Sequence, residues 1–445
     1  MSGGTMDRRT VTRSAAVLAA ALLSGGAGAT AQARACEAAR AGTRDAAPAG
    51  ARGPSRAGTR DAARAAGEDV VLTLPAPTGR HRVGVTTLYL VDRDRRDPWA
   101  PEVPVREVMA TVLYPARTVR GCPRAPQMTR GAAEFFAGFV PAHQHPELPK
   151  AGVDWAATLT HAHTGAPAQP VRRPVVLYSP GGGDARTFGT GVAEELASHG
   201  YVVVTVDHPG DASEVEFPGT TAYRDDPLRT TVFRGDPRTD PGLFRTMIET
   251  RVADVRFVLD RLAVLAAGGN PDAAGRPLPE HLGRALDLRR VGVYGHSAGG
   301  TTAAQALYED RRIAAAIDLE GYLDHPARTP GGAGELFPVA RDGVDRPLLL
   351  VRTDGFRHGQ ALEPSWSAVA ARSGGRVRRC RVDRAGHAVF TDYAAIAPQL
   401  QAAGLMSSED RAGLVGTLEP AVSVPLVRDR VRGFFTRHLG RPGLV

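Results

Sequence analysis

The stretch VGVYGHSAGGTTAAQAL, Val291 to Leu307, decides how the chain is read. A short apolar run leads into one serine set between two glycines, Gly295-His296-Ser297-Ala298-Gly299, and a run of small helix-forming residues follows. With 14 serines and 51 glycines in 445 residues, chance alone supplies about 0.2 copies of G-x-S-x-G. The pattern therefore needs its context. RVGVYG (290–295) reads as a strand and TTAAQAL (301–307) as a helix, so Ser297 falls on a strand–turn–helix junction. Glycines on both sides let the backbone turn sharply without Cβ clashes and lift the serine Oγ clear of a sheet edge. Ser297 is read as a nucleophile at such an elbow rather than as a serine in a glycine-rich loop.

Working outward, short β-rich runs recur at 83–91, 107–114, 174–179, 201–206, 290–295, 313–319, 347–352 and 376–382. The later ones alternate with helical patterns. RVADVRFVLDRLAVL (251–265) carries apolar residues at 252, 255, 258, 259, 262 and 265, one helix face, and 187–200 and 301–310 also read as helices. Apolar strands alternating with helices imply an α/β domain with a mostly parallel, eight-stranded sheet covered on both faces. The first two strands have no helix between them and predict an antiparallel pair at one edge. Residues 115–173 form an insertion between strands two and three. AAEFFAGFV and DWAATL within it predict helices, which would cap the C-terminal edge of the sheet or pack on its surface.

Composition bounds the rest. Charged residues at 23% and hydrophobic ones at 42% describe an ordinary globular chain. Of the net charge of +8, residues 1–68 contribute +5, leaving +3 for the remainder. That balance, without interleaved basic and aromatic residues, gives no reason to propose nucleic acid. Residues 1–35 read as an export signal: MDRRTVTR is its charged region, SAAVLAAALL its apolar core and ATAQARA its cleavage region. Arg8-Arg9 resembles a twin-arginine signal. The apolar core is too short to span a bilayer, and no later segment suggests a membrane helix. Residues 36–68 repeat RAGTRDAA and hold almost no large apolar side chains, so they read as a disordered linker before a domain over 70–445. Cys122 and Cys380 could pair in an oxidising compartment or remain thiols; the sequence leaves both open.

A serine nucleophile needs a base, and the base an orienting carboxylate. Behind an elbow of this kind the chain order is serine, acid, histidine. Of the four histidines downstream, His387 in RVDRAGHAVFTDY follows the last strand on a glycine-containing loop, where the base belongs. For the acid, Asp318 and Glu320 share one strand face in IAAAIDLEGYL, and Asp354 ends the next strand. An oxyanion hole would take one N–H from Ala298 and a second from the glycines of SPGGGDARTF, Gly181 to Gly183. A phosphate loop is excluded there by the missing GKS/T ending. HQH (143–145) and HAH (161–163) lack cysteines or carboxylates at ligand spacing, so no metal or other cofactor is expected.

LYSPGGGDARTFGTGVAEELASHGYVVVTVDHPGDAS, GVYGHSAGG, AIDLEGYL and GHAVFTDY, in that order, resemble the plasma-type platelet-activating factor acetylhydrolase family, with its secreted bacterial lipase-like members, over about residues 80–395. The resemblance implies an α/β-hydrolase fold and calcium-independent serine esterase activity on small-molecule or lipid esters. It implies Ser297 as nucleophile, His387 as base and Gly182 as the second oxyanion donor. It favours Glu320 over Asp318 as the acid, 23 residues after the serine, although the family usually has Asp there. Pro180 also departs from the family's His. A polyester or cutin-type hydrolase is the alternative enzyme, and a non-catalytic cell-envelope binding protein on the same scaffold is the alternative class.

Overall fold

The computed structural model describes residues 69–327 and 332–440, so the expected export signal and the whole linker lie outside the described residues. All eight expected strands form. In chain order they are β1 (Val83–Asp92), β2 (Arg106–Pro115), β5 (Arg173–Ser179), β6 (Val202–Val206), β9 (Leu286–His296), β10 (Ile313–Leu319), β11 (Leu348–Thr353) and β12 (Val377–Val382). The insertion adds β3 (Arg124–Pro126) and β4 (Leu159–Thr164), while β7 (Glu214–Glu216) and β8 (Leu228–Thr230) pair separately. The main sheet thus has ten strands, ordered β12-β11-β10-β9-β5-β6-β2-β1-β4-β3. Strands β6 through β12 of this order run parallel, and β1 and β2 form the expected antiparallel pair.

Three expectations change here. The sheet is ten-stranded rather than eight-stranded, and the β1–β2 pair is not its edge, because the insertion strands continue beyond β1. In β4 the histidines of HAH alternate with buried Thr160 and Ala162, an ordinary strand period that short polar strands disguise. DWAATL makes only a single 3-10 turn, Trp155–Ala157, capped by Asp154 Oδ1 on the Ala157 N–H. The other insertion segment is helical as expected: α1 spans Arg130–His143.

Helices cover both sheet faces. They are α2 (Thr190–Ser198), α3 (Pro241–Ala266), α4 (Ala298–Glu309), α5 (Pro338–Asp342), α6 (Glu363–Arg372), α7 (Tyr393–Ala402), α8 (Ser408–Val415) and α9 (Pro420–Leu439). Alternation divides the central strands between two cores. Val175 and Leu177 of β5 face one with α3 and α4, and Val176 and Tyr178 face the other with α2 and α9. Helix α3 starts ten residues before the amphipathic run because Asp240 caps it and Pro241 opens it. Among the described residues no helix is long and apolar enough to cross a membrane. Cys122 lies beside β3 and Cys380 in β12, at opposite sheet edges roughly 40 Å apart at the usual strand spacing. They are not bonded to each other.

A buried charge network ties the sheet to α3. Arg106, at the start of β2, is fully buried and grips Asp254 of α3 with Nε at 3.1 Å and Nη2 at 2.7 Å. Its Nη1 donates to Asp97 and to the Pro209 carbonyl. His208 donates from Nδ1 to Asp254 at 3.1 Å and accepts the Ser179 hydroxyl at Nε2. Burial, reinforced by Arg251, pushes the His208 pKa down and keeps the ring neutral, as that relay needs. The network therefore ends on Ser179, the last residue of β5. Replacing Arg106 by Ala removes the fully buried cation shared by Asp97 and Asp254, leaving them only the more exposed Arg229 and Arg95. It should destabilise the fold by about 3–5 kcal/mol, read as a lower urea midpoint; an unchanged midpoint would show the network to be passive.

Candidate active site

The serine elbow forms as its sequence demands. Ser297 has φ 54° and ψ −121°, a left-handed backbone that a non-glycine residue adopts only under constraint. The constraint is visible on both sides. A Cβ on Gly295 would lie 2.1 Å from the Gly299 carbonyl oxygen, and a Cβ on Gly299 would lie 1.9 Å from that of Ser179. Both positions admit only glycine. The Ser297 N–H donates to the Leu319 carbonyl at 2.9 Å, which fastens the turn to the end of β10. Ser297 itself is half-buried, while its neighbours on the turn are buried.

Glu320 reaches the expected position by leaving the strand. β10 ends at Leu319, and Glu320 takes φ 68°. Its side chain is buried, with Oε1 accepting the Thr353 N–H and hydroxyl. Its Oε2 is 2.7 Å from Nδ1 of His387. Asp318 stays in the strand, where its Oδ1 accepts the Gly321 N–H at 2.6 Å against the start of α4. Burial pushes its pKa well above the usual carboxylate range, so it holds a proton there. Asp354 accepts the Ala385 N–H, and hydrogen bonds from the Arg384 and Ala385 backbone hold its pKa below the usual range. It caps the turn that carries His387 and does not meet the ring.

His387 opens a 3-10 turn after β12. Phe356 stacks on its ring at 4.3 Å and 16°, and the His296 ring lies 4.4 Å away. His296 also donates from Nε2 to the His387 carbonyl at 3.0 Å. The elbow histidine thereby fixes the backbone of the histidine on the facing loop. Sequence reasoning had given neither Phe356 nor His296 a role.

The residues expected to supply the two N–H donors, Gly182 and Ala298, lie next to each other. A Cβ on Gly182 would be in contact with the Ala298 Cβ at 3.6 Å, so the loop after β5 rests on the start of α4. Arg251 of α3 holds that loop from beneath. It donates to the Pro180 and Gly181 carbonyls at 2.6 and 2.8 Å and pairs with buried Asp211, which accepts the Gly183 N–H at 3.0 Å. Arg251 was missed as a positioning residue because it looked like helix surface. Yet 251, 255, 258 and 262 follow the helical period, so the arginine shares the buried stripe. Insertion helix α1 lies beside the same loop: Phe136 stacks on Phe188 at 5.0 Å, and Phe188 on Tyr393 of α7 at 4.7 Å. Among the described residues no group of three or more His, Cys, Asp or Glu side chains is arranged to hold a metal ion.

This architecture and sequence match known proteins. The sequence model described as "Platelet-activating factor acetylhydrolase, isoform II" matches residues 156–440. The chain belongs to that family. A "Probable 1-alkyl-2-acetylglycerophosphocholine esterase" of Arthroderma benhamiae is 25% identical over 272 residues, 59% of this chain and 59% of that protein. The platelet-activating factor acetylhydrolase of Bos taurus is 26% identical over 219 residues, 46% of this chain and 44% of the relative. The chain thus spans about half the length of the curated relatives it matches. Among solved structures, a ferulic acid esterase from Streptomyces cinnamoneus is similar at TM-score 0.64 and 33% identity, covering 84% of this chain and 95% of that one. Family membership and this neighbour agree with an α/β-hydrolase fold for the ten-stranded domain.

The elbow contact has a direct test. Gly299→Ala should cost about 3 kcal/mol, because backbone and not a flexible side chain must yield, and should lower the melting temperature by several degrees. Gly138→Ala in α1, where a Cβ meets nothing within 4 Å, should leave it unchanged or slightly higher. Equal melting temperatures for the two variants would contradict the contact.

Proposed function

We propose that this chain is an exported serine carboxylic ester hydrolase acting through an acyl-enzyme on small-molecule or lipid esters. The observation that carries the reading is the 2.7 Å pairing of His387 Nδ1 with buried Glu320, on loops beside the strained elbow of Ser297. The Ser297 Oγ attacks the ester carbonyl while its proton passes to Nε2 of His387. Glu320 accepts the Nδ1–H, which sets the tautomer and stabilises the imidazolium. The negative oxygen of the tetrahedral intermediate takes hydrogen bonds from the Gly182 and Ala298 N–H groups. Collapse expels the alcohol, which receives the proton from His387. Water then attacks the acyl-enzyme with His387 again as base, releasing the acid and restoring Ser297.

The names of the relatives support the bond cleaved. The platelet-activating factor acetylhydrolase and the 1-alkyl-2-acetylglycerophosphocholine esterase are both named for an acetyl ester and the third for a ferulic acid ester, and all three are carboxylic esters. Export rests on the charged, apolar and small-residue regions of 1–35, in which Arg8-Arg9 resembles a twin-arginine signal.

Turnover of 4-nitrophenyl acetate tests the assignment. Ser297→Ala should lose about 10⁴-fold or more in kcat, and Glu320→Gln about 10²- to 10⁴-fold. Asp318→Asn should stay near wild type, since that side chain accepts the Gly321 N–H while Glu320 meets His387. Unchanged turnover in purified Ser297→Ala, or a collapse in Asp318→Asn with Glu320→Gln unaffected, would overturn it.

A further inference from the structure

The HQH motif of the insertion finds a use at the site. Helix α1 ends at His143, and the chain then brings His145 against the loop that carries Gly182. His145 Nε2 lies 3.5 Å from Asp184 Oδ1, and Nδ1 lies 2.9 Å from Glu147 Oε1. Asp184 stands two residues after Gly182, at the end of the glycine run, and its N–H closes a turn onto the Gly181 carbonyl. Its second oxygen points towards Nδ1 of His296, 3.9 Å away. Gln144 packs against the same loop, its Nε2 2.9 Å from where a Cβ on Gly183 would sit.

We propose that His145 is a positioning residue for ester hydrolysis: as a cation carried in by the insertion, it neutralises Asp184 and holds the Gly181–Asp184 loop so that the Gly182 N–H stays aimed at the oxyanion. The inference rests on the hydrolase reading above and deepens it. Its physical core is charge placement. Asp184 lies two residues after Gly182, and an ionised carboxylate there, uncompensated, would oppose negative charge developing at the Gly182 N–H in the transition state. A cation paired with it removes the opposition without entering the reaction.

The surrounding charges set the protonation states. Burial alone would lower the His145 pKa, but pairing with Asp184 and Glu147 outweighs it and lifts the value to about 9. Burial opposes the charge of Asp184 too, yet His145, with smaller contributions from His296 and His387, holds its pKa below the usual carboxylate range. His296 is driven down to about 3, chiefly by burial and then by His387, so it is neutral and does not replace His145 as the cation. Tyr393 of α7, its ring 5.1 Å from His145, has its phenol pushed well up by burial and neighbouring carboxylates. Asp410 of α8 acts on Glu147 from the far side. The sign follows: the His145 cation is present through neutral pH and is lost as pH rises through about 9.

The experiment compares wild type, His145→Gln, Asp184→Asn and the double variant on 4-nitrophenyl acetate, with kcat and KM taken from pH 6 to 10. His145→Gln should lose roughly 10- to 100-fold in kcat with KM within about twofold. The double variant should recover most of that loss, because the charge needing neutralisation is gone. The wild-type alkaline limb near pH 9 should vanish in both variants that lack His145. Wild-type kcat in His145→Gln, or a double variant as slow as the two single losses multiplied, would overturn the proposal while leaving the hydrolase reading intact. Failure of wild type to turn over ester, with no labelling of Ser297 by a fluorophosphonate, would instead overturn the hydrolase reading and this inference with it.

Discussion

The site depends on one backbone contact. Gly299, at the start of α4, lies so close to the Ser179 and Pro180 carbonyl oxygens that no side chain fits between them. This contact joins the end of β5 to the elbow after β9, so the loop bearing Gly182 and the turn bearing Ser297 are set by a single junction. The left-handed backbone of Ser297 is sustained by that packing and by its hydrogen bond to Leu319. A strained serine and the Gly182 loop are thus held in register by glycines whose only contribution is the absence of a Cβ.

Two buried charge clusters hold the junction from the α3 side. Arg251 binds the carbonyls of the donor loop, and Asp211 completes its charge and accepts the Gly183 N–H. One turn further along α3, Asp254 links Arg106 and His208 to Ser179. Buried ion pairs bring little net stability once desolvation is counted. Their value here is directional, since each fixes particular backbone carbonyls or hydroxyls at the end of β5. A third pair, His145 with Asp184, approaches the same loop from the insertion.

Much of this was legible in the sequence, for identifiable reasons. The eight main strands were apolar runs bounded by turn residues, and the serine elbow carried its glycines in plain view. The insertion strands were not legible: β3 has three residues and β4 alternates histidine with small side chains. Alternation placed Asp318 and Glu320 on one face, so strand geometry could not choose between them. The choice is made by Glu320 leaving the strand at φ 68°, a local event with no sequence signature apart from the following glycine. Arg251 and His145 stayed hidden because an arginine on a helix and a histidine after one usually face water. Their function arises from tertiary contacts with Pro180, Gly181 and Asp184 that no local pattern encodes.

The central claim is that Ser297, His387 and the Gly182 and Ala298 N–H groups act on one reacting carbonyl. A crystal structure of the protein inactivated with a monoethyl fluorophosphonate tests it most directly, because the tetrahedral phosphorus mimics the intermediate. The account predicts phosphorus bonded to Ser297 Oγ, with its phosphoryl oxygen about 2.7–3.1 Å from the Gly182 and Ala298 nitrogens. Adduct on another residue, or a phosphonyl oxygen turned away from both nitrogens, would contradict it.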